Sequence, residues 1–314
     1  MGRNVIQRTE MNGAFLDLGG APLDLTHYAT TGLRVLAVGP SGGGKTNAGL
    51  LIGEQLAEQG WVSVFVDPEG EVASLYGEPV TGPEDLRKRL AERKQPIIVV
   101  AAKDAGEFIP YGEVILEAAD EHRKPIFLMI DEGQVFSSAT SRKEDLGDAT
   151  DLINEFAQRG RKRALDLFLT AHSFTGSVNR AIFRLKNLTL IGGQSDPTMW
   201  STLAPLFRAS KLEFADLAAL APGEFICFSP RGIEKVRTPM AKALAAVAEK
   251  AKIAEPALPA TFTQWDRAMR RIPTARLENL TDPVVRLLGS VAGLTSQQMI
   301  SGARALQDEL DTRS

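Results

Sequence analysis

The sequence predicts an α/β fold, a mostly parallel β-sheet with helices on both faces, followed by a small helical appendage. Three observations carry this. Apolar runs of strand length recur at 33–38, 61–66, 96–102, 125–130 and 164–170, and helical patterns lie between most of them. Glycine, proline and aspartate punctuate the junctions. After residue 238 the composition shifts to alanine-rich helix, then a proline-rich stretch, then short helical pieces. A strand that alternates with a helix pairs with its successor in parallel, because the helix is the crossover.

The elements follow in order. Residues 1–32 are mixed, with Gly19-Gly20 and Pro22 as punctuation and short strands expected at 14–18 and 23–25. The run 33–38 is a buried strand that ends in Gly39-Pro40-Ser41-Gly42-Gly43-Gly44-Lys45-Thr46, and a helix over 47–58 follows, stopped by Gly60. The strand 61–66 closes in the turn tetrad Asp67-Pro68-Glu69-Gly70. A basic amphipathic helix is expected at 83–93, a strand at 96–102, a helix at 112–122, and an apolar strand at 125–130 that ends in Asp131-Glu132. Residues 137–148 are polar and read as a mobile loop. Next come a helix over 149–163, a strand over 164–170, a short helix over 178–185 and a strand over 188–191. Residues 224–228 and 233–237 flank Pro230-Arg231-Gly232 and predict a hairpin. Residues 239–252 read as helix. The expected organisation is one domain over 1–253 with a short β segment at 1–32, a linker at 254–261 and a helical module at 262–314.

Composition narrows the function classes. A single cysteine, Cys227, rules out a disulfide framework within the chain and points to a reducing compartment. With three scattered histidines (His27, His122, His172), a four-ligand zinc site is equally out of reach. The net charge of −3 is not the basic signature of a protein that coats DNA, although a ring can concentrate a few cations in its lumen. No apolar run approaches the ~20 residues of a membrane span, and residues 1–10 carry no apolar signal core. The chain is read as having no membrane partner and as cytoplasmic, in the cell or infected host that makes it.

Gly39, Pro40, Ser41, Gly42, Gly43, Gly44, Lys45 and Thr46 fit G-x-x-x-x-G-K-[ST] between a strand and a helix, the context that this motif requires. Glycines let successive backbone N–H groups turn inward onto phosphate oxygens. The helix N-terminus adds its positive end. Lys45 is expected to reach the β- and γ-phosphates, and the Thr46 hydroxyl to ligate Mg²⁺. The cofactors expected are therefore ATP and Mg²⁺.

The strand 125–130 is apolar throughout, as a central strand buried on both faces is. Its terminal Asp131 would hold Mg²⁺, mostly through water, and Glu132 would polarise the attacking water as general base. The strand 164–170 is followed by Ala171-His172-Ser173. His172 is either a sensor of the γ-phosphate or a capping histidine at the core edge. Arg159-Gly160-Arg161-Lys162-Arg163 closes the preceding helix. These cations either complement the negative end of that helix or provide an arginine finger to a neighbouring subunit, with Arg161 slightly ahead of Arg159. Ile191-Gly192-Gly193-Gln194 looks like the signature loop of ABC transporters, but it follows the acidic strand instead of preceding it.

Taken together, Gly44-Lys45-Thr46-Asn47, Asp67-Pro68-Glu69-Gly70-Glu71, Ile130-Asp131-Glu132 and Gly160-Arg161-Lys162 resemble the HerA/FtsK superfamily of DNA-pumping ATPases, over roughly residues 30–195. HerA-like members carry an Asn after the P-loop, which adds Asn47 to the nucleotide-binding candidates. The resemblance implies a RecA-like P-loop NTPase fold, a homo-oligomeric ring, expected as a hexamer, and translocation of double-stranded DNA through its lumen. It also implies a trans-acting arginine at Arg159 or Arg161. Asp67 and Glu69 match the family turn. The chain departs from the family in carrying His172 where a Gln is usual, in a short N-terminal segment and in lacking a membrane anchor. A compact member of this kind resembles viral genome-packaging and mobile-element ATPases, so a nuclease or capsid protein is a candidate partner. The alternative is an ATP-dependent oligomeric switch or assembly factor that recruits a protein. Arg87-Lys88-Arg89 with Arg93-Lys94 could touch DNA phosphates, or form a solvated helix face. Residues 282–310 could form a helix-turn-helix or a plain docking module.

Overall fold

The computed structural model describes residues 14–122, 125–137, 144–173, 184–208 and 210–253. By its contacts the chain divides into two units, Met1–Ala248 and Glu249–Ser314. The second lies outside the described residues except for 249–253, and so do the expected linker at 254–261 and module at 262–314.

Two two-residue strands, β1 (Phe15–Leu16) and β2 (Leu23–Asp24), pair antiparallel near the N-terminus. A 3₁₀ turn over Leu25–Tyr28 follows, with Asp24 accepting from Thr26 N–H. Then comes the alternation that the sequence predicts: β3 (Arg34–Val38), α1 (Lys45–Glu58), β4 (Val62–Asp67), α2 (Ala73–Tyr76), α3 (Pro83–Glu92), β5 (Ile97–Ala101), α4 (Ala105–His122) and β6 (Ile126–Ile130). The chain continues through α5 (Gly133–Phe136), α6 (Glu144–Arg163), β7 (Leu165–Ala171), β8 (Leu188–Ile191), α7 (Pro197–Phe207) and α8 (Phe214–Ala218). It closes with β9 (Glu224–Ser229), β10 (Gly232–Arg237) and α9 (Lys242–Ile253).

Among the described residues, eight strands form one sheet in the order β10-β9-β8-β3-β7-β6-β4-β5. The run from β8 to β5 is parallel throughout, and the β9–β10 hairpin adds two antiparallel strands at one edge. The sheet separates two cores because successive side chains of a strand point to opposite faces. On one face Leu36, Val38, Val64, Leu128 and Leu167 pack with Phe108, Phe156 and Leu203 from the helices α4, α6 and α7. On the other, Val35, Ala37, Phe127, Met129 and Phe168 pack against Ile52 and Leu56 of α1 and against Leu16 and Tyr28 of the N-terminal segment. A helix sits this close to the sheet only over small residues. A Cβ added at Gly49 would lie 2.7 Å from Met129 Sδ, and one at Gly53 would lie 2.4 Å from Phe65 Cε1.

Several boundaries differ from expectation. Residues 144–148, read as loop, form the first turn of α6; the rest of that expected loop, 138–143, lies outside the described residues. Helix α4 starts seven residues before the expected 112, with Pro110 inside it. There the missing proline N–H would have bonded back only to the carbonyl of Gly106, in the helix's first turn. The short helices α2 and α5 and the helices α7 and α8 were not anticipated. Trp200 stacks on Phe207 at 5.3 Å, and Phe207 meets Phe228 of β9 edge-on at 5.1 Å, which seats this pair beside the hairpin. Most of the expected helix 178–185 lies outside the described residues.

Candidate active site

In a parallel sheet the loops after the strand C-termini share one edge, which is where ligands bind in such folds. Here the ends of β3, β7, β6 and β4 stand side by side at that edge. They enclose a cleft of about 630 Å³, and its described lining runs from Ser41 to Thr46, adds Asp67, Pro68, Glu69, Glu71 and Val72, and is completed by Asp131, Glu132 and His172.

The glycine-rich loop holds its form through its own backbone and through the β9 turn. Gly43 N–H donates to the Pro40 carbonyl at 3.2 Å, and the Gly43 carbonyl accepts from Gly223 N–H at 3.0 Å. Gly44 caps α1 with φ of 91°, in the left-handed region that glycine adopts without penalty. A Cβ at Gly44 would lie 2.9 Å from Gly223 N, so both conformation and space require glycine there. The first-turn N–H groups of α1 therefore open onto the cleft, as an anion site requires.

Lys45 is only 6% exposed. Its ammonium donates to the Gly39 and Pro40 carbonyls, both at 2.9 Å. An ammonium has three donors, so one remains for a phosphate oxygen. Burial pushes the Lys45 ammonium below its usual range, and the charges of Glu132 and Asp131 pull it back up.

Asp131 is held from two sides. Its Oδ2 accepts from the Thr46 hydroxyl at 2.7 Å, and its Oδ1 accepts from the Thr170 hydroxyl at 2.6 Å and from Glu132 N–H at 3.1 Å. Thr46 gives its proton to Asp131 and keeps its oxygen lone pairs for a cation. These two groups fit Mg²⁺: both are hard oxygen donors, and they lie together at the mouth of the phosphate loop. Among the described residues no cluster of three or more His, Cys, Asp or Glu could hold a metal by itself.

Glu132 takes φ of 50° and ψ of 47°, a left-handed conformation unusual for a side-chain-bearing residue, as β6 turns into α5. Its Oε2 lies 2.8 Å from His172 Nε2 and also accepts from Gln134 Nε2. His172 thus stands at the end of β7 within the cleft lining, facing the carboxylate expected to act as base. Thr170, Gln134 and the brace at Gly223 were not singled out in the sequence. The signal available for Thr170 was a lone hydroxyl near the end of an apolar strand.

Other candidates take different places. The Asp67 carboxylate accepts from Gly70 N–H at 3.0 Å and Val72 N–H at 2.7 Å, so it shapes the turn that presents Glu69 and Glu71 to the cleft. Asn47 turns its side chain away toward the chain after β10, donating to the Pro239 carbonyl at 2.9 Å and accepting from Ala241 N–H at 2.8 Å. Arg159 and Arg161 lie in the C-terminal end of α6, which hands over to β7 at the strand-start edge of the sheet. A strand length of about 20 Å separates that helix end from the cleft edge. On α3, Arg87 pairs with Glu117 at 2.5 Å and with Glu84, and Arg89 pairs with Asp85 at 2.9 Å. These arginines belong to a solvated, ion-paired helix face.

No family model matches this chain, and no curated protein matches it. Solved structures do. The genome packaging NTPase B204 from Sulfolobus turreted icosahedral virus 2, in complex with ATP-gammaS, is 15% identical with a TM-score of 0.51, over 66% of this chain and 98% of that one. VirB4 of Thermoanaerobacter pseudethanolicus is 13% identical with a TM-score of 0.52, over 74% of this chain and 98% of that one. At such identities the likeness is one of fold, and the fold is that of RecA-like P-loop NTPases.

Proposed function

We propose that this chain is an ATP-hydrolysing motor that assembles as a ring, expected as a hexamer, and moves double-stranded DNA. The observation that carries the hydrolysis is the convergence of Lys45, Thr46, Asp131 and Glu132 on one cleft. In this reading the loop N–H groups and Lys45 hold the triphosphate, and Thr46 and Asp131 hold Mg²⁺. The metal, when bound, supplies charge neutralisation on the phosphate oxygens. Glu132 accepts the proton of the attacking water, with His172 orienting that carboxylate and sensing the γ-phosphate.

Support for a ring comes from charge and from place. The described lining holds the carboxylates of Asp67, Glu69, Glu71, Asp131 and Glu132 against one lysine, so a polyanionic substrate calls for further positive charge. Arg161 or Arg159, a strand length from its own cleft, is suited to a neighbouring subunit's nucleotide. Support for DNA is the resemblance to DNA-pumping ATPases, together with the shared fold of a genome packaging NTPase. A capsid protein or a nuclease is the partner class that goes with packaging or end processing, in a cytoplasmic setting. Among the described residues no helix is long and apolar enough to cross a membrane.

The test is ATP turnover by the full chain with and without linear duplex DNA, alongside particle shape by negative-stain microscopy. Rings and strong stimulation by duplex DNA are expected. Rings that hydrolyse ATP yet neither bind DNA nor respond to it would replace the translocase by the switch that recruits a protein partner.

A further inference from the structure

Thr170 is the second-last residue of β7, the strand that lies between the phosphate-loop strand β3 and the acidic strand β6. Its side chain is fully buried, and its hydroxyl is used in both directions. It donates to Asp131 Oδ1 at 2.6 Å and accepts from Glu132 N–H at 2.8 Å. One hydroxyl therefore ties the expected metal-holding carboxylate to the backbone of the expected base. The backbone agrees: a Cβ at Gly133 would lie 2.8 Å from the Thr170 carbonyl, so the turn after β6 is pressed onto β7 at this point. Glu132 keeps its left-handed conformation under this restraint.

The two oxygens of Asp131 are thereby set apart. Oδ1 takes two donors, Thr170 and Glu132 N–H, and is committed to the fold. Among the described residues Oδ2 takes only the Thr46 hydroxyl, whose lone pairs remain for a cation. Without the Thr170 hydroxyl, Asp131 could rotate and Glu132 N–H would lose its shorter bond.

We infer that Thr170 is a positioning residue for ATP hydrolysis, fixing the Asp131 carboxylate and the Glu132 turn in one geometry without itself touching nucleotide. The inference rests on the hydrolytic reading of the cleft. A partner that orients a metal ligand is typically worth 10- to 100-fold in metal affinity or activity. Thr170→Val removes the hydroxyl at nearly constant shape, and Thr170→Ser keeps it.

The experiment measures steady-state hydrolysis against ATP and against Mg²⁺ for the full chain and both variants, with ATPγS affinity in the absence of Mg²⁺. Hydrogen exchange at the Glu132 amide is followed in the same proteins. Thr170→Val is expected to lose about 10- to 100-fold in kcat and to need more Mg²⁺. Its KM for ATP and its metal-free ATPγS affinity stay at the wild-type values, and its Glu132 amide exchanges faster. Thr170→Ser stays near wild type in all of these. Wild-type kcat and Mg²⁺ midpoint in Thr170→Val, or a Thr170→Ser variant as impaired as Thr170→Val, would overturn the inference while leaving ATP hydrolysis standing. If Thr170→Val does not fold, the folded wild type decides: a slowly exchanging Glu132 amide supports the tie, and one that exchanges as freely as an open loop refutes it. A wild type that binds ATPγS but shows no hydrolysis under any condition counts against the hydrolytic reading and so against any positioning role within it.

Discussion

Asp166 and Thr170 are polar residues in an otherwise apolar strand, and they work at its opposite ends. Asp166 is 3% exposed, and its carboxylate accepts from Leu33 N–H at 2.8 Å and from the Trp61 indole at 2.9 Å. It pins the approaches to β3 and β4 at the strand-start edge, far from the cleft. Asp166→Ala should leave two buried donors without this acceptor and cost about 1–3 kcal/mol. Urea unfolding measures this, and an unchanged midpoint would show that the carboxylate carries no such load. At this scale the meeting of Lys45 and Thr46 with Asp131 and Glu132 at one cleft was legible, because the glycine-rich motif sets residue types at fixed spacing and an apolar strand that ends in two acids brings them to the same sheet edge. Thr170 was not, because its partners sit on a different strand and a one-dimensional pattern does not reveal strand order. Asn47 was read for its place beside the loop, but its side chain serves the link to Pro239 and Ala241.

Among the elements, β3, β4, β6, β7 and β8 were visible as apolar runs, since strands covered on both faces need apolar residues at every position. Helix α4 was shortened in the sequence reading by Pro110, and α7 and α8 were missed because a cluster of aromatic rings, not a strong periodicity, holds them. Helix α6 carries the most consequence for function. It returns the chain to the start of β7, so Arg159 and Arg161 end a strand length from their own phosphate loop. If Arg161 completes a neighbour's site, mixtures of Arg161→Ala and Lys45→Ala chains should recover part of the hydrolysis that each lacks alone, because some mixed interfaces join an intact loop to an intact arginine. Phosphate release from mixtures at several ratios checks this. No recovery at any ratio would place Arg161 outside the neighbouring site.

At the scale of the molecule, the parallel sheet acts as a sorting device. It gathers the ends of β3, β7, β6 and β4 at one edge and sends stabilising contacts such as those of Asp166 to the other. The two apolar cores on its faces fix the strands that carry the site. The fold class was legible because alternation of strand and helix leaves few architectures; strand order was not, because it is set by contacts distant in sequence. The central claim is that Lys45, Thr46, Asp131 and Glu132 act on a single triphosphate and its metal ion. Calorimetric titration of Mg²⁺–ATPγS into the full chain, Lys45→Ala and Glu132→Gln tests it most directly. The wild type and Glu132→Gln should bind with measurable heat, while Lys45→Ala binds far more weakly or not at all. No heat from the folded wild type, or Lys45→Ala binding as tightly as wild type, would contradict the account.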